Sequence, residues 1–180
     1  MNPEKQQLHK TILLDASSAI LLAKAGFHIT VAQNYSVLMS DSVFDEITRN
    51  RLPGSGEYKK LLQEKLLKIM PLAKQLSLTT DDVPLQKLDR GERDTLLLFL
   101  AGHGDFVVTD DGAAARFYLN NRIPFVNSLL MLLILKHTGK IAESAYNTGF
   151  ESLLDLGRYS EKVIKYARSC SDKELLFFSA

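Results

Sequence analysis

The stretch KTILLDASSAILLAKAG (10–26) holds both halves of a β–α unit. Its first part, KTILLD (10–15), is an apolar run bounded by polar residues. It is too short for a helix and suits a buried strand. Its second part, SSAILLAKAG (17–26), reads as a helix with Ser17 or Ser18 as cap and Gly26 as stop. Between them stands Asp15, a bare carboxylate where a buried strand ends. A single aspartate there makes a good N-cap, but the two serines beside it can take that role. The question is whether other acids in the chain stand in equivalent places.

Outward from this unit the alternation continues. YSVLMS (35–40) reads as a strand and DSVFDEITRN (41–50) as a helix. RLPGSGEY (51–58) reads as a loop, KKLLQEKLLK (59–68) as a helix, and IMPLA or a neighbouring piece as a strand. TTDDVPLQKL (79–88) is polar and turn-like. DRGERDTLLLFLAGHG (89–104) is a helix with a glycine-rich end, DFVVTD (105–110) a strand, GAAARFYLNN (112–121) a helix and IPFVNS (123–128) a strand. LLMLLILKHTG (129–139) is a buried helix ending at Gly139. The remainder reads as helices broken near 157–160. This order predicts an α/β fold with a mainly parallel sheet covered on both faces. In such folds ligands sit at the carboxyl ends of strands, near the switch in strand order. Asp15 lies at such an end.

The bulk properties narrow the field. A length of 180 residues suits one domain, large enough to bury a core without disulfides. Apolar residues make up 46% and charged residues 24%, an ordinary globular composition. The net charge of +1 leaves any nucleic-acid surface to a local patch. The lone cysteine, Cys170, builds neither a disulfide framework nor a thiolate metal site, and reads as a small buried side chain. His9, His28, His103 and His137 show no ligand spacing and read as structural or surface residues. MNPEKQQLHK (1–10) has no apolar signal core. SLLMLLIL (128–135) is far short of the ~20 residues that span a bilayer. The expectation is a cytoplasmic protein with no membrane partner.

Four places in the chain hold more acid than capping requires. Asp15 is the first. In SVFDEITR, Ser42 and Asp45 have the spacing of a capping box, which leaves Glu46 over. Glu46 borders the apolar face, three residues after Val43 and just before Ile47. In DRGERDTLLL, Asp89 and Glu92 make a capping box, which leaves Asp94 over. In FVVTDDGAAARF, one of Asp110 and Asp111 caps the next helix, and the second is surplus. Each acid has a bland reading as a cap or a solvated charge. Together they fall at strand ends and helix starts, which a parallel sheet gathers along one edge. Oxygen-only ligands suit a hard cation such as Mg²⁺ or Mn²⁺, and carboxylate-held ions of that kind serve phosphodiester hydrolysis.

The ordered set resembles the PIN-domain family of metal-dependent nucleases. The family pattern has Asp-x-Ser/Thr after the first strand, Glu on a helix after the second, Asp early in a later helix, and Thr-x-Asp after the fourth strand. DAS supplies Asp15 and Ser17, VFDEI supplies Glu46, GERDTLLL supplies Asp94, and VVTDD supplies Thr109 and Asp111. The resemblance covers about 11–140, and RIPFVNSLLMLLILKHTGKI (122–141) is similar to a prokaryotic, toxin-like branch of the family. GERD also offers Glu92, and TDD leaves Asp110 as a replacement or auxiliary ligand, so the ligand set stays open at these two places.

The resemblance implies a three-layer α/β/α fold with a five-stranded parallel sheet in the order 3-2-1-4-5. It implies one PIN-like nuclease domain over 1–180, with a core at 11–140 and a helical tail at 141–180. It further implies a Mg²⁺- or Mn²⁺-dependent ribonuclease, with Asp15, Glu46, Asp94 and Asp111 as catalytic metal ligands and Asp110 beside them. Ser17, Thr109 and Glu92 would support the ligands, and Arg49, Arg116 and Arg122 are candidate contacts to RNA phosphates. Such a chain would be the toxin of a toxin–antitoxin pair, held by an antitoxin protein, or an RNA-processing nuclease, and it would pair as a homodimer. The tail segment SDKELLFFSA (171–180), with Leu175, Leu176, Phe177 and Phe178 in a row, would either serve that pairing or close the chain's own core. Two other classes stay open. One is a non-catalytic PIN-like scaffold for RNA or protein. The other is a phosphotransfer aspartate protein, which expects a second acid where Ser17 stands or an acidic pair before the first helix.

Overall fold

The computed structural model describes residues 9–49, 52–72 and 88–179. The turn-like stretch expected at 79–88 lies outside them except for Leu88. Five strands form one parallel sheet: β1 (Thr11–Leu14), β2 (Ser36–Ser40), β3 (Leu67–Met70), β4 (Phe106–Val108) and β5 (Phe125–Val126). Their order is β3-β2-β1-β4-β5, as the resemblance implies. The strands are short continuous apolar runs because helices cover both faces of the sheet.

The register assigns the residues to layers. Ile12 of β1 aligns with Val37 of β2 and Phe106 of β4, and Leu13 aligns with Leu38 and Val107. Successive residues of a strand point to opposite faces, so these two rows enter different cores. The first row packs with α1 (Ala16–Lys24), α2 (His28–Asn34), α3 (Asp41–Arg49), α4 (Ser55–Gln63), α7 (Ser128–His137) and α8 (Glu143–Leu156). The second row packs with α5 (Arg90–Leu100) and α6 (Gly112–Asn120) through Leu96, Leu98, Phe117 and Tyr118. In α7 seven residues are buried, because α8 and the later helices cover the side that faces away from the sheet.

Several local expectations change. α2 was not anticipated. The helix expected at 59–68 begins earlier, at Ser55, after Gly54 turns the chain with φ of 97°. It ends at Gln63, because Leu67–Met70 pair with β2 instead. The expected loop at 51–58 shrinks accordingly. The predicted Ser42–Asp45 capping box does not form. Ser40 Oγ accepts from the Val43 amide at 3.2 Å, while Asp45 bonds Arg49 at 2.6 Å. The Asp89–Glu92 box does form.

The tail continues as α9 (Glu161–Ser169), α10 (Asp172–Leu175) and a 3-10 turn (Leu176–Phe178). It closes the amino edge of the sheet. Leu175 is buried, and Phe178 lies edge-on to Phe106 with ring centroids 5.0 Å apart. Tyr35 Oη donates to the Phe178 carbonyl at 2.9 Å. Leu176 and Phe177 face outward. Cys170 is buried, as expected. Among the described residues no helix is long and apolar enough to cross a membrane.

Candidate active site

Strands β1 and β4 are neighbours whose following helices lie on opposite faces of the sheet, so their carboxyl ends open the switch point. A cleft of about 280 Å³ lies there, lined by Asp15, Ser17, Glu46, Asp89, Glu92 and Asp111 among others. Two of these acids are fixed by capping. Asp15 caps α1, accepting from the Ser18 amide at 2.9 Å, so the serines do not take the cap. Asp111 caps α6, accepting from the Ala113 and Ala114 amides at 2.7 and 2.9 Å. Glu46 is exposed in the second turn of α3, which follows the carboxyl end of β2. Gly91 lets α5 approach it: a Cβ at residue 91 would stand 3.3 Å from Glu46 Oε2 and 3.3 Å from Val43 Cγ2.

Two hydroxyls tie Asp15 to the turn after β4. Ser17 Oγ donates to Asp15 Oδ1 at 2.8 Å and accepts from the Asp110 amide at 2.9 Å. Thr109 Oγ1 donates to Asp15 Oδ2 and accepts from the Asp111 amide at 3.2 Å. Burial nevertheless dominates and pushes the Asp15 carboxyl up to about 7, with the Asp110 charge adding to it. Burial likewise raises Glu92 to about 7, helped by the charges of Asp89 and Asp111 and by a hydrogen bond to Asp111. Glu46, though exposed overall, is raised by partial desolvation at the cleft wall and by the charge of Asp89. Carboxylates gathered without a cation repel one another's charge.

The structure divides the pairs that the sequence left open. Glu92 lines the cleft and Asp94 does not. Two residues apart on a helix, they point about 200° from each other. Asp94 is instead buried beside Arg90 Nε at 3.8 Å and Arg93 Nε at 3.9 Å. Asp110 also turns away from the cleft. It accepts from Ser18 Oγ at 2.7 Å, the Ser128 amide at 3.2 Å, Ser128 Oγ, and Tyr159 Oη at 2.6 Å. Asp89, assigned only a cap from sequence, lines the cleft as well as capping α5. Tyr159 carried no signal in the sequence, since it lies in the tail far from any acidic motif.

The arginines separate too. Arg116 folds back over the start of α6, with a guanidinium nitrogen 3.7 Å from where a Gly112 Cβ would stand, next to Asp111. Arg49 is exposed and paired with Asp45. Arg122, in a left-handed conformation with φ of 56°, follows the far end of α6, at the opposite edge of the sheet from the cleft.

An all-parallel sheet in this order, with a carboxylate-lined cleft at its switch point, defines a doubly wound α/β protein. The chain belongs to the PIN-domain family, whose model matches residues 11–171 and so runs well into the helical tail. A comparison with curated proteins finds no match. PIN domains generally depend on divalent metal ions. The cleft's donor set fits such an ion: its carboxylates are all oxygen ligands, and desolvation has raised the pKa of three of them. Among the described residues no three acidic or imidazole groups converge closely enough to grip one ion as they stand.

Proposed function

We propose that the chain is a Mg²⁺- or Mn²⁺-dependent endoribonuclease acting in this cleft. Asp15, Glu46, Glu92 and Asp111 would hold the metal. Glu92 takes the place that the sequence offered to Asp94. When bound there, such a cation would supply water activation and would neutralise charge on the phosphate. Ser17 and Thr109 orient Asp15 by their hydrogen bonds. Asp111 is held by its amide donors, whereas Glu46 makes no hydrogen bond among the described residues and is free to turn toward a cation. Asp94 stands outside the cleft, loosely paired with Arg90 and Arg93. Arg116 beside Asp111, with Arg49, would meet RNA phosphates.

The observation that carries this reading is the convergence of five acids, Asp15, Glu46, Asp89, Glu92 and Asp111, on one cleft at the switch point. The test is cleavage of a mixed-sequence RNA and of its all-deoxy counterpart. RNA cleavage with Mn²⁺, lost with EDTA and lost in Asp15→Asn, supports the proposal. No cleavage under any divalent ion rejects it. The proposal includes a toxin-type role, with an antitoxin protein as partner, or an RNA-processing role. It also includes a homodimer formed through the outward-facing Leu176 and Phe177. A non-catalytic scaffold for RNA or protein is the second reading. It draws on the absence, among the described residues, of three groups close enough to grip one ion.

A further inference from the structure

We propose that Tyr159 is a positioning residue for the acidic site, which makes the helical tail part of that site rather than an appendage to it. The inference rests on the metal-nuclease reading for its functional meaning, and on the geometry around Asp110 for its structure. Asp110 is partly buried and makes no ion pair among the described residues. Its charge is met by neutral donors from three separate elements: Ser18 in α1, Ser128 at the start of α7, and Tyr159 in the turn between α8 and α9. A carboxylate has roughly four lone-pair sites, and these contacts fill them. Asp110 is therefore a structural anchor and has no capacity left for a cation.

The anchor is coupled to the cleft by two short chains of hydrogen bonds. The amide of Asp110 donates to Ser17 Oγ, which donates to Asp15. Ser18, which donates to Asp110 through its hydroxyl, also donates to Asp15 through its amide. Tyr159 is thus a few hydrogen bonds from the most buried acid of the cleft. The seat of its ring is built into the backbone. A Cβ on residue 157 would fall 2.4 Å from Tyr159 Cε2. Gly157 has φ of −97°, a conformation open to any residue, so what selects glycine there is not its dihedral angles but the space taken by the ring and by the Leu153 carbonyl, 3.0 Å from such a Cβ.

The experiment measures Mn²⁺ binding to the full chain by calorimetry, together with kcat and KM on RNA. Tyr159→Phe removes the hydroxyl and keeps the ring. Tyr35→Phe removes a hydroxyl that donates to Phe178 at the other edge of the sheet, and serves as the control for general loss of stability. About 10-fold weaker Mn²⁺ binding in Tyr159→Phe, with kcat falling more than KM changes and Tyr35→Phe like the wild type, supports the inference. Wild-type Mn²⁺ affinity in Tyr159→Phe overturns it. Should Tyr159→Phe not fold, Gly157→Ala displaces the same ring and is held to the same outcomes. A wild-type chain that binds no Mn²⁺ rejects the metal reading instead. Hydrogen exchange at the Ser18 and Asp110 amides in the metal-free protein then decides the positioning role. Faster exchange in Tyr159→Phe than in Tyr35→Phe upholds it, and equal exchange overturns it.

Discussion

Asp110 and Asp111 are neighbours in sequence and sit in opposite environments. Asp111 faces the open cleft with Asp15, Glu46 and Glu92, where its donors are the amides of its own helix and the Glu92 carboxyl. Asp110 faces a closed pocket of hydroxyl and amide donors. The difference teaches that acid content alone does not make a ligand. What distinguishes the two is whether the carboxylate's lone pairs are already satisfied by the protein. An acid whose lone pairs are filled holds the fold together, and one left short of donors is available to a cation.

The largest effects should come from the open side. Asp15→Asn keeps an acceptor for the Ser18 amide and removes the buried charge. Its RNA cleavage should fall by at least about 100-fold, more than an outer partner of a metal ligand costs, while the metal-free protein stays folded. Glu92→Gln should weaken Mn²⁺ binding about 10-fold, and Asp94→Asn should leave it unchanged. Calorimetric titration of the two variants checks this, and the reverse result would return Asp94 to the site.

The paired test comes next. Asp110→Ala leaves the buried hydroxyls of Ser18 and Ser128 and the Tyr159 hydroxyl without their acceptor. It should destabilise the fold by about 3 kcal/mol, or a melting temperature lower by about 6–12 °C for a chain of this size. Asp111→Ala loses a cap worth about 1 kcal/mol but should abolish Mn²⁺-induced stabilisation. Thermal scans with EDTA and with Mn²⁺ separate the two. Equal stability losses would erase the distinction between the neighbours.

How much of this contrast the sequence shows depends on the kind of signal. Each cleft acid at a strand end is legible, because an apolar run that breaks into Asp or into Ser-x-x-x-x-x-Glu marks both the edge and the layer. The 3-2-1-4-5 order came from family resemblance, since periodicity says nothing of which strands pair. The choice of Glu92 over Asp94 depends on helical phase. The capping box explains Glu92 so well that it hides the second use of that residue. The anchor role of Asp110 was invisible, because its donors come from residues 18, 128 and 159, which only the fold brings together. α2 and the early start of α4 were missed for a similar reason: contacts with the sheet, not local propensity, define them.

Titration sharpens the comparison further. Asp15 has an ordinary value of 3.8 and rises to about 7 in the fold. A raised acid favours the protonated form when folded, so its contribution to stability is whole below 3.8 and is lost as pH climbs to about 7. Glu92, raised from 4.5 to about 7, and Glu46, also raised, act in the same direction. Metal-free protein should therefore lose stability from pH 5 to 7, at up to about 1.4 kcal/mol per pH unit for Asp15. A cation needs the deprotonated carboxylates, so Mn²⁺-induced stabilisation should grow over the same interval. Scans at pH 5.5, 6.5 and 7.5 test both slopes. Metal-free stability that rises with pH would mean the cleft acids are compensated by something other than a cation.

The smallest expected effect concerns the arginines, where the two ends of α6 repeat the contrast at long range. Arg116 lies over the first turn beside Asp111, and Arg122 follows the last turn at the opposite edge. A strand of RNA with its phosphate in the cleft passes the first and not the second. One lost phosphate contact lowers the salt dependence of binding by about one in log–log slope and weakens affinity without changing sequence preference. Arg116→Ala should thus raise KM several-fold at low salt, converge on the wild type as salt rises, and leave kcat nearly unchanged. Arg122→Ala should alter neither KM nor slope. Fluorescence anisotropy on a labelled RNA across a salt series reads both variants. If Arg122 rather than Arg116 changes the slope, the RNA runs along the other edge of the sheet, and the carboxylate cleft loses its claim to the substrate.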